Sequence, residues 1–209
     1  MIVVKLGGSF FDSPELIEWL KVLSEHGAGK VVIVPGGGPF ADQVRNAQKQ
    51  HGFNDSIAHK MALHAMDQFG FFLIGMAEKN IPDHKLIAAN SEQKIREAII
   101  NKQTPVWLPS QQLKDNQDIP QNWTVTSDSL SAWLAKELIA DQLVLIKRTN
   151  ADLERPIKEL EQEGVIDSSF INFIEQSDFK MKFLNVRQVL FIKDFLKEFY
   201  ATDCVVHIK

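Results

Sequence analysis

The sequence predicts an α/β protein: a three-layer α/β/α sandwich with a mainly parallel central sheet, built as a single domain over residues 1–209. Three observations predict it. Short runs rich in branched apolar residues, Val3–Leu6, Lys30–Val34 and Gln142–Ile146, show little apolar–polar alternation, and strands of that kind are covered on both faces. Segments with apolar residues at helical spacing alternate with these runs, which suits parallel strands joined by helical crossovers. Two of the runs end in glycine turns, LGGS and VPGGGPF, as where a strand hands over to a helix. A hydrophobic content of 44% and a charged content of 24% are those of an ordinary globular domain.

Taken in order, Val3–Leu6 is a buried strand ending at Gly7-Gly8-Ser9. Ser13 is placed as N-cap and Pro14 at the first position of a helix carrying Leu16, Ile17, Leu20 and Leu23, closed by Gly27. Lys30–Val34 is the second strand, and Pro39 opens a helix with Phe40, Val44 and Ala47. Ser56 caps the next helix, IAHKMALHAMDQFGFFL, with a break expected near Gly70. Pro82–Asn90 carries no clear pattern; Ser91 starts a helix containing Ile95, Ala98 and Ile99. Thr104–Pro109 is a short strand fenced by prolines, and the polar stretch 111–122 is a surface loop. Leu130, Trp133, Leu134 and Leu138 form the stripe of a helix starting near Ser127 or Asp128. The strand Gln142–Ile146 runs into Lys147, and two short helices are expected around 156–163 and 168–175. A strand at Phe183–Val186, a helix with Val189, Ile192, Leu196 and Phe199, and a closing strand at Cys204–Ile208 complete the chain.

Charge and cysteine content narrow the function. Lys and Arg number 23 against 27 Asp and Glu, a formal charge of -4. No basic excess points to nucleic acid or an anionic membrane as partner. One cysteine, Cys204, excludes an intrachain disulfide framework and suits a reducing, cytoplasmic setting. In its apolar strand that thiol reads as buried and inert. No apolar run reaches the about 18 residues of a membrane helix. The start MIVVKLGGSF lacks the basic leader of a signal peptide and reads as a strand. His59 and His64 do not have the spacing of a metal pair one helical turn apart, and the four tryptophans are scattered.

In open α/β sheets ligands gather at the carboxyl ends of the strands, where both glycine turns fall. Bare N–H groups there can surround an anion, and a helix N-terminus adds a favourable dipole. Plain tight turns are the alternative, since neither a Walker loop nor a GxGxxG fingerprint is present; two such turns in one context favour phosphate. Lys5, two residues before Gly7, either snorkels to the strand end or reaches that phosphate. Lys147 repeats the pattern after QLVLI. Two cations at the mouths of parallel strands suit phosphoryl transfer, where charge on the migrating group must be neutralised. Asp128, near a helix start, is either a cap or the group that orients the lysines, and the two roles are compatible.

VVKLGGS, VPGGGPFADQVR and VTSDSLSAWLA resemble the amino acid kinase superfamily, which includes acetylglutamate, glutamate, uridylate and isopentenyl phosphate kinases. The resemblance follows the chain in order up to ATDCVVHI. More narrowly, PGGGPFADQVR, AHKMALHAMDQFG and TSDSLSAWLAKEL with LVLIK are similar to short members that act as 5-(aminomethyl)-3-furanmethanol phosphate kinases in making the furan moiety of methanofuran and methylofuran. The resemblance implies transfer of the ATP γ-phosphoryl group to a phosphomonoester, giving a diphosphate. It puts Lys5 and Lys147 on the transferring phosphate with Asp128 orienting them, Gly7, Gly8 and Ser9 on the ATP phosphates, and Gly36, Gly37 and Gly38 toward the acceptor. After Lys147 the family commonly has Asp and Gly in a nucleotide loop; here RTNAD follows, with Asn150 and Asp152 as stand-ins.

On the acceptor side, Arg45 either reaches the acceptor's phosphate or is a solvated helix arginine. His59 is a phosphate ligand and Asp67 a partner for a substrate ammonium, unless they serve the core or surface of their helix. Magnesium is expected on the ATP oxygens, with no metal site of the protein's own. A phosphate acceptor is already anionic, so no general base is required. The expected partners are a small-molecule phosphomonoester and further copies of the chain in a homo-oligomer, with no nucleic acid or membrane. The rival readings are a carboxylate kinase of the same fold, as acetylglutamate and glutamate kinases are, and a non-catalytic regulatory protein that retains the fold.

Overall fold

The computed structural model describes residues 1–175 and 177–199. The closing strand expected at Cys204–Ile208, and the burial of Cys204, lie outside the described residues. Among the described residues six strands, β1 (Ile2–Leu6), β2 (Val31–Pro35), β3 (Leu86–Ala89), β4 (Thr104–Trp107), β5 (Gln142–Lys147) and β6 (Lys180–Asn185), form one sheet in the order β3-β4-β2-β1-β5-β6. Every neighbouring pair is parallel. The connections carry α1 (Leu16–Gly27), α2 (Gly38–His51), α3 (Asp55–Asn80), α4 (Glu92–Ile100), α5 (Pro109–Leu113), α6 (Ser127–Glu137), α7 (Ile157–Gln162) and α8 (Phe170–Ile174), and α9 (Val189–Glu198) follows β6. Helices cover both faces, as the unbroken apolar character of β1 and β2 requires; both strands are buried at every residue.

The register positions the site. Leu6 lies opposite Pro35 on β2 and Ile146 on β5, so the carboxyl ends of the three central strands finish level. Side chains alternate between the two faces along a strand. Ile2, Val4 and Leu6 pack with Val144 and Ile146 under α1, α9 and the second half of α3. Val3, Leu143 and Leu145 pack on the opposite face with Leu130 and Leu134 of α6. The same parity carries Lys5 and Lys147 to the α6 side. A helix that starts with a buried acid is therefore laid against two strand-borne lysines.

Several local expectations change. Helix α1 begins at Leu16, because Ser13 donates to Glu15 Oε2 (2.5 Å) and both precede the helix. Asn54, not Ser56, caps α3, its Oδ1 accepting from the Ile57 N–H at 3.0 Å. Ser56 lies inside the first turn and donates to Gln121. The break at Gly70 does not occur: α3 is continuous over 26 residues. A Cβ at Gly70 would sit 2.7 Å from a Leu108 methyl, 3.4 Å from Val106 and 3.5 Å from Pro35. The glycine lets the helix lie close on the ends of β2 and β4 rather than interrupting it. The patternless segment holds β3, which among the described residues is an edge strand paired only with β4, and the loop after β4 begins with the short α5. Among the described residues no helix is long and apolar enough to cross a membrane.

A Gly70→Leu substitution tests that contact. Overpacking there is expected to lower stability by about 1–3 kcal/mol with helix content unchanged, as read by urea unfolding followed by circular dichroism. An unmoved midpoint contradicts it.

Candidate active site

Three buried charged groups meet at the carboxyl end of the sheet. Lys5 Nζ lies 2.9 Å from Asp128 Oδ1 and Lys147 Nζ 2.5 Å from Asp128 Oδ2. Their residues are 6%, 5% and 8% exposed for Lys5, Asp128 and Lys147. Lys147 also donates to the Val165 carbonyl at 2.6 Å. Thr126 caps α6, so Asp128 stands at the second helical position, free to turn its carboxylate on the strands. Burial raises the Asp128 pKa, but the two ammonium groups outweigh it and hold the carboxyl below its usual range. Burial, then the Lys5 charge, push Lys147 from its usual 10.5 down to about 8; Asp128 opposes both. Two cations on one anion leave the cluster with a net positive charge, which a phosphate oxygen can complete.

The glycine turns lie against each other. A Cβ on Gly8 would overlap Gly38 N and Cα, and one on Gly36 would overlap Gly8 N. Gly36 N–H donates to the Leu6 carbonyl at 2.7 Å, and Gly38 starts α2 with φ of +54°. Side chains are excluded here because two backbones cross. A Cβ on Gly7 would sit 3.1 Å from Lys5 Nζ, so that position leaves room for the ammonium.

The crossing separates two cavities that share Gly8 and Ser9. One, of about 330 Å³, is lined by Lys5, Gly7, Lys147, Arg148, Gly164 and Val165. It adjoins a polar cavity of about 470 Å³ that shares Arg148 and Thr149 and adds Asn150, Asn185 and Arg187. The other, of about 250 Å³, lies over α2 and α3 and is lined by Gly37, Gly38, Arg45, His59, Met66 and Trp123 among others. His59 is buried, and desolvation lowers its pKa, favouring the neutral imidazole. Arg45 pairs with Asp42 at 2.8 Å and lies over the Trp123 ring at 4.4 Å from its centroid.

Two expected site residues lie elsewhere. Asp67 accepts from the Ser110 N–H (3.2 Å) and hydroxyl at the start of α5, and burial raises its pKa. Eight residues after His59 it is rotated by about 80° around the helix, off the face that Leu63 and Met66 present to the cavity. Asp152 accepts from the Glu154 N–H at 3.0 Å within its own turn and lines none of these cavities. Asn150 lines the polar cavity. Three residues were missed. Trp123 is fixed by its Nε1–H donating to Gln48 Oε1 at 2.6 Å; an aromatic in a polar loop five residues before Asp128 is a weak signal. Arg148, beside Lys147, lines two cavities. Asp167 holds the start of α6. Among the described residues no group of three or more His, Cys, Asp or Glu is arranged to hold a metal ion.

Residues 1–151 match the amino acid kinase family. The chain belongs to this family. A (5-(aminomethyl)furan-3-yl)methyl phosphate kinase from Methanocaldococcus jannaschii is 33% identical over 146 residues, 69% of this chain and 64% of the relative's own length. Among solved structures, uridylate kinase from Archaeoglobus fulgidus superposes with a TM-score of 0.68 at 18% identity, covering 94% of this chain and 95% of that one. An isopentenyl phosphate kinase gives 0.61 at 13% identity, with 94% and 96% covered. These two likenesses establish the amino acid kinase fold across nearly the whole chain, past the residues that the family match covers.

The lysine–aspartate cluster makes a direct prediction. Followed by ¹³C-labelled lysine NMR, Lys147 is expected to titrate near pH 8 rather than 10.5. Asp128→Asn moves that titration lower and costs about 3 kcal/mol of stability, because two buried cations lose their anion. A wild-type Lys147 titrating with the surface lysines contradicts the excess of desolvation over pairing at this site.

Proposed function

We propose that this protein is an ATP-dependent phosphotransferase that converts (5-(aminomethyl)furan-3-yl)methyl phosphate to its diphosphate, in methanofuran or methylofuran biosynthesis. The observation that carries the reading is the pair Lys5 and Lys147, held by one carboxylate beside the glycine crossing where two cavities meet. The nucleotide phosphates occupy the side of Gly7, Gly8 and Ser9, with Arg148 and Asn150 toward the nucleoside. The acceptor lies on the side of Gly36, Gly37 and Gly38, its phosphate near Arg45 and His59 and its flat ring near Trp123. The relative's name supports this choice of acceptor.

An oxygen of the acceptor phosphate attacks the γ-phosphorus; the new P–O bond forms as the bond to the bridging oxygen of ADP breaks. The acceptor oxygen is anionic, so no proton has to be removed. Lys5 and Lys147 meet the charge spread over the equatorial oxygens, and Asp128 keeps both ammonium groups aimed at one point. Magnesium neutralises the nucleotide phosphates when bound. Asp128 is committed to two lysines and Glu163 to Arg155, which suits an ion carried by ATP oxygens and water rather than by a protein cage. A cytoplasmic homo-oligomer belongs to the same proposal.

The test is a ³¹P NMR assay with ATP and magnesium on four acceptors: the furan phosphate, uridylate, acetylglutamate and glutamate. The expected result is a diphosphate from the furan phosphate, with Lys5→Ala lowering turnover by about 10²-fold or more while the fold persists. Turnover of glutamate or acetylglutamate instead would make this a carboxylate kinase. No turnover together with no ATP binding by calorimetry would favour the non-catalytic reading.

A further inference from the structure

We propose that Asp167 is a positioning residue of the active site, and that the strap Gly164–Ser169 sets the geometry of the lysine–aspartate cluster from outside it. Asp167 lies 39 residues beyond Asp128, yet its carboxylate accepts five hydrogen bonds, four of them from the start of α6. Oδ2 accepts from the Thr126 N–H (2.9 Å), the Thr126 hydroxyl (2.8 Å) and the Ser129 N–H (3.1 Å). Oδ1 accepts from the Ser129 hydroxyl and from the Ser169 N–H (3.2 Å). Thr126 and Ser129 bracket Asp128. The Thr126 hydroxyl that Asp167 orients is also the acceptor for the Asp128 N–H, at a long 3.4 Å. The backbone on both sides of Asp128 is thus fixed by one carboxylate, placed where a helix N-terminus favours negative charge.

The same strap holds the other partner. Val165, two residues before Asp167, accepts from Lys147 Nζ at 2.6 Å. Ser169 closes the far end, its hydroxyl donating to Thr124 Oγ1 (2.8 Å) and its N–H to the Thr124 carbonyl (3.2 Å). Ile166 and Phe170, both buried, pin the strap into the core under α6. Lys147 and α6 are therefore referenced to one short piece of backbone, and a displacement of Asp167 changes the separation of Asp128 and Lys147. Small errors of that kind matter most where the task is alignment.

The kinetic arm of the test rests on the phosphoryl-transfer reading; a second arm does not. In Asp167→Ala the NMR titration of Lys147 is expected to move below that of Asp167→Asn: both variants lose the Asp167 charge, which itself favours the Lys147 ammonium, and only Ala also lets Asp128 shift. Turnover falls about tenfold or more with the KM for ATP nearly unchanged, and Asp167→Asn, which keeps the shape, lies between Ala and wild type. A purely structural cap would lower the melting temperature and leave Lys147 titrating alike in the folded Ala and Asn variants. That result, with turnover unchanged well below melting, overturns the proposal. If Asp167→Ala does not fold, Ser129→Ala removes one donor from the same carboxylate. It must shift the Lys147 titration in the same direction, and an unshifted titration overturns the proposal. If no acceptor turns over in the wild type, the acceptor reading has failed and the titration alone decides on Asp167.

Discussion

The site depends on one carboxylate held between two buried ammonium groups. Burying either lysine without this carboxylate would leave most of its desolvation penalty unopposed. Asp128 offsets it twice, at 2.9 Å to Lys5 and 2.5 Å to Lys147, and leaves one positive charge over. This excess separates the cluster from an ordinary buried salt bridge. The fold's parallel register makes the arrangement available: β1 and β5 finish level, and the alternation of side chains sends Lys5 and Lys147 to one face. The helix that covers this face need only present an acid at its second residue.

The crossing of the glycine loops is the second constraint. Backbone meets backbone where Gly8 touches Gly36 and Gly38, so the wall between the two cavities is as thin as a polypeptide allows. In the proposed function, substrates on its two sides bring their reacting phosphates together across it. The polar, arginine-lined side and the smaller side with His59, Arg45 and Trp123 differ in chemistry, as a nucleotide and a small ring-bearing phosphate differ.

The sheet, its parallel sense and most helices were legible because they are written in local runs: branched apolar strands, helical stripes, glycine turns. Lys5, Lys147 and Asp128 were legible as candidates because each stands at the end of such a run. What was not legible depends on long-range packing. The role of Gly70 comes from Leu108 and Pro35 pressing on a helix that the local pattern would break. Asp67, read from the sequence as either a partner for a substrate ammonium or a residue serving its helix, is engaged instead by Ser110 at the start of α5, 43 residues away. Trp123 gave only a weak local signal and Asp167 none, since their partners are 75 and 38–41 residues away.

A crystal structure with magnesium, a non-hydrolysable ATP analogue and the acceptor phosphomonoester tests the central claim most directly. The account predicts the γ-phosphate within charge-assisted hydrogen-bond reach, about 2.7–2.9 Å, of both Lys5 and Lys147. It places the acceptor phosphate across the Gly8–Gly38 crossing, beside Gly37. A γ-phosphate bound elsewhere, with both lysines still turned only to Asp128, would contradict it.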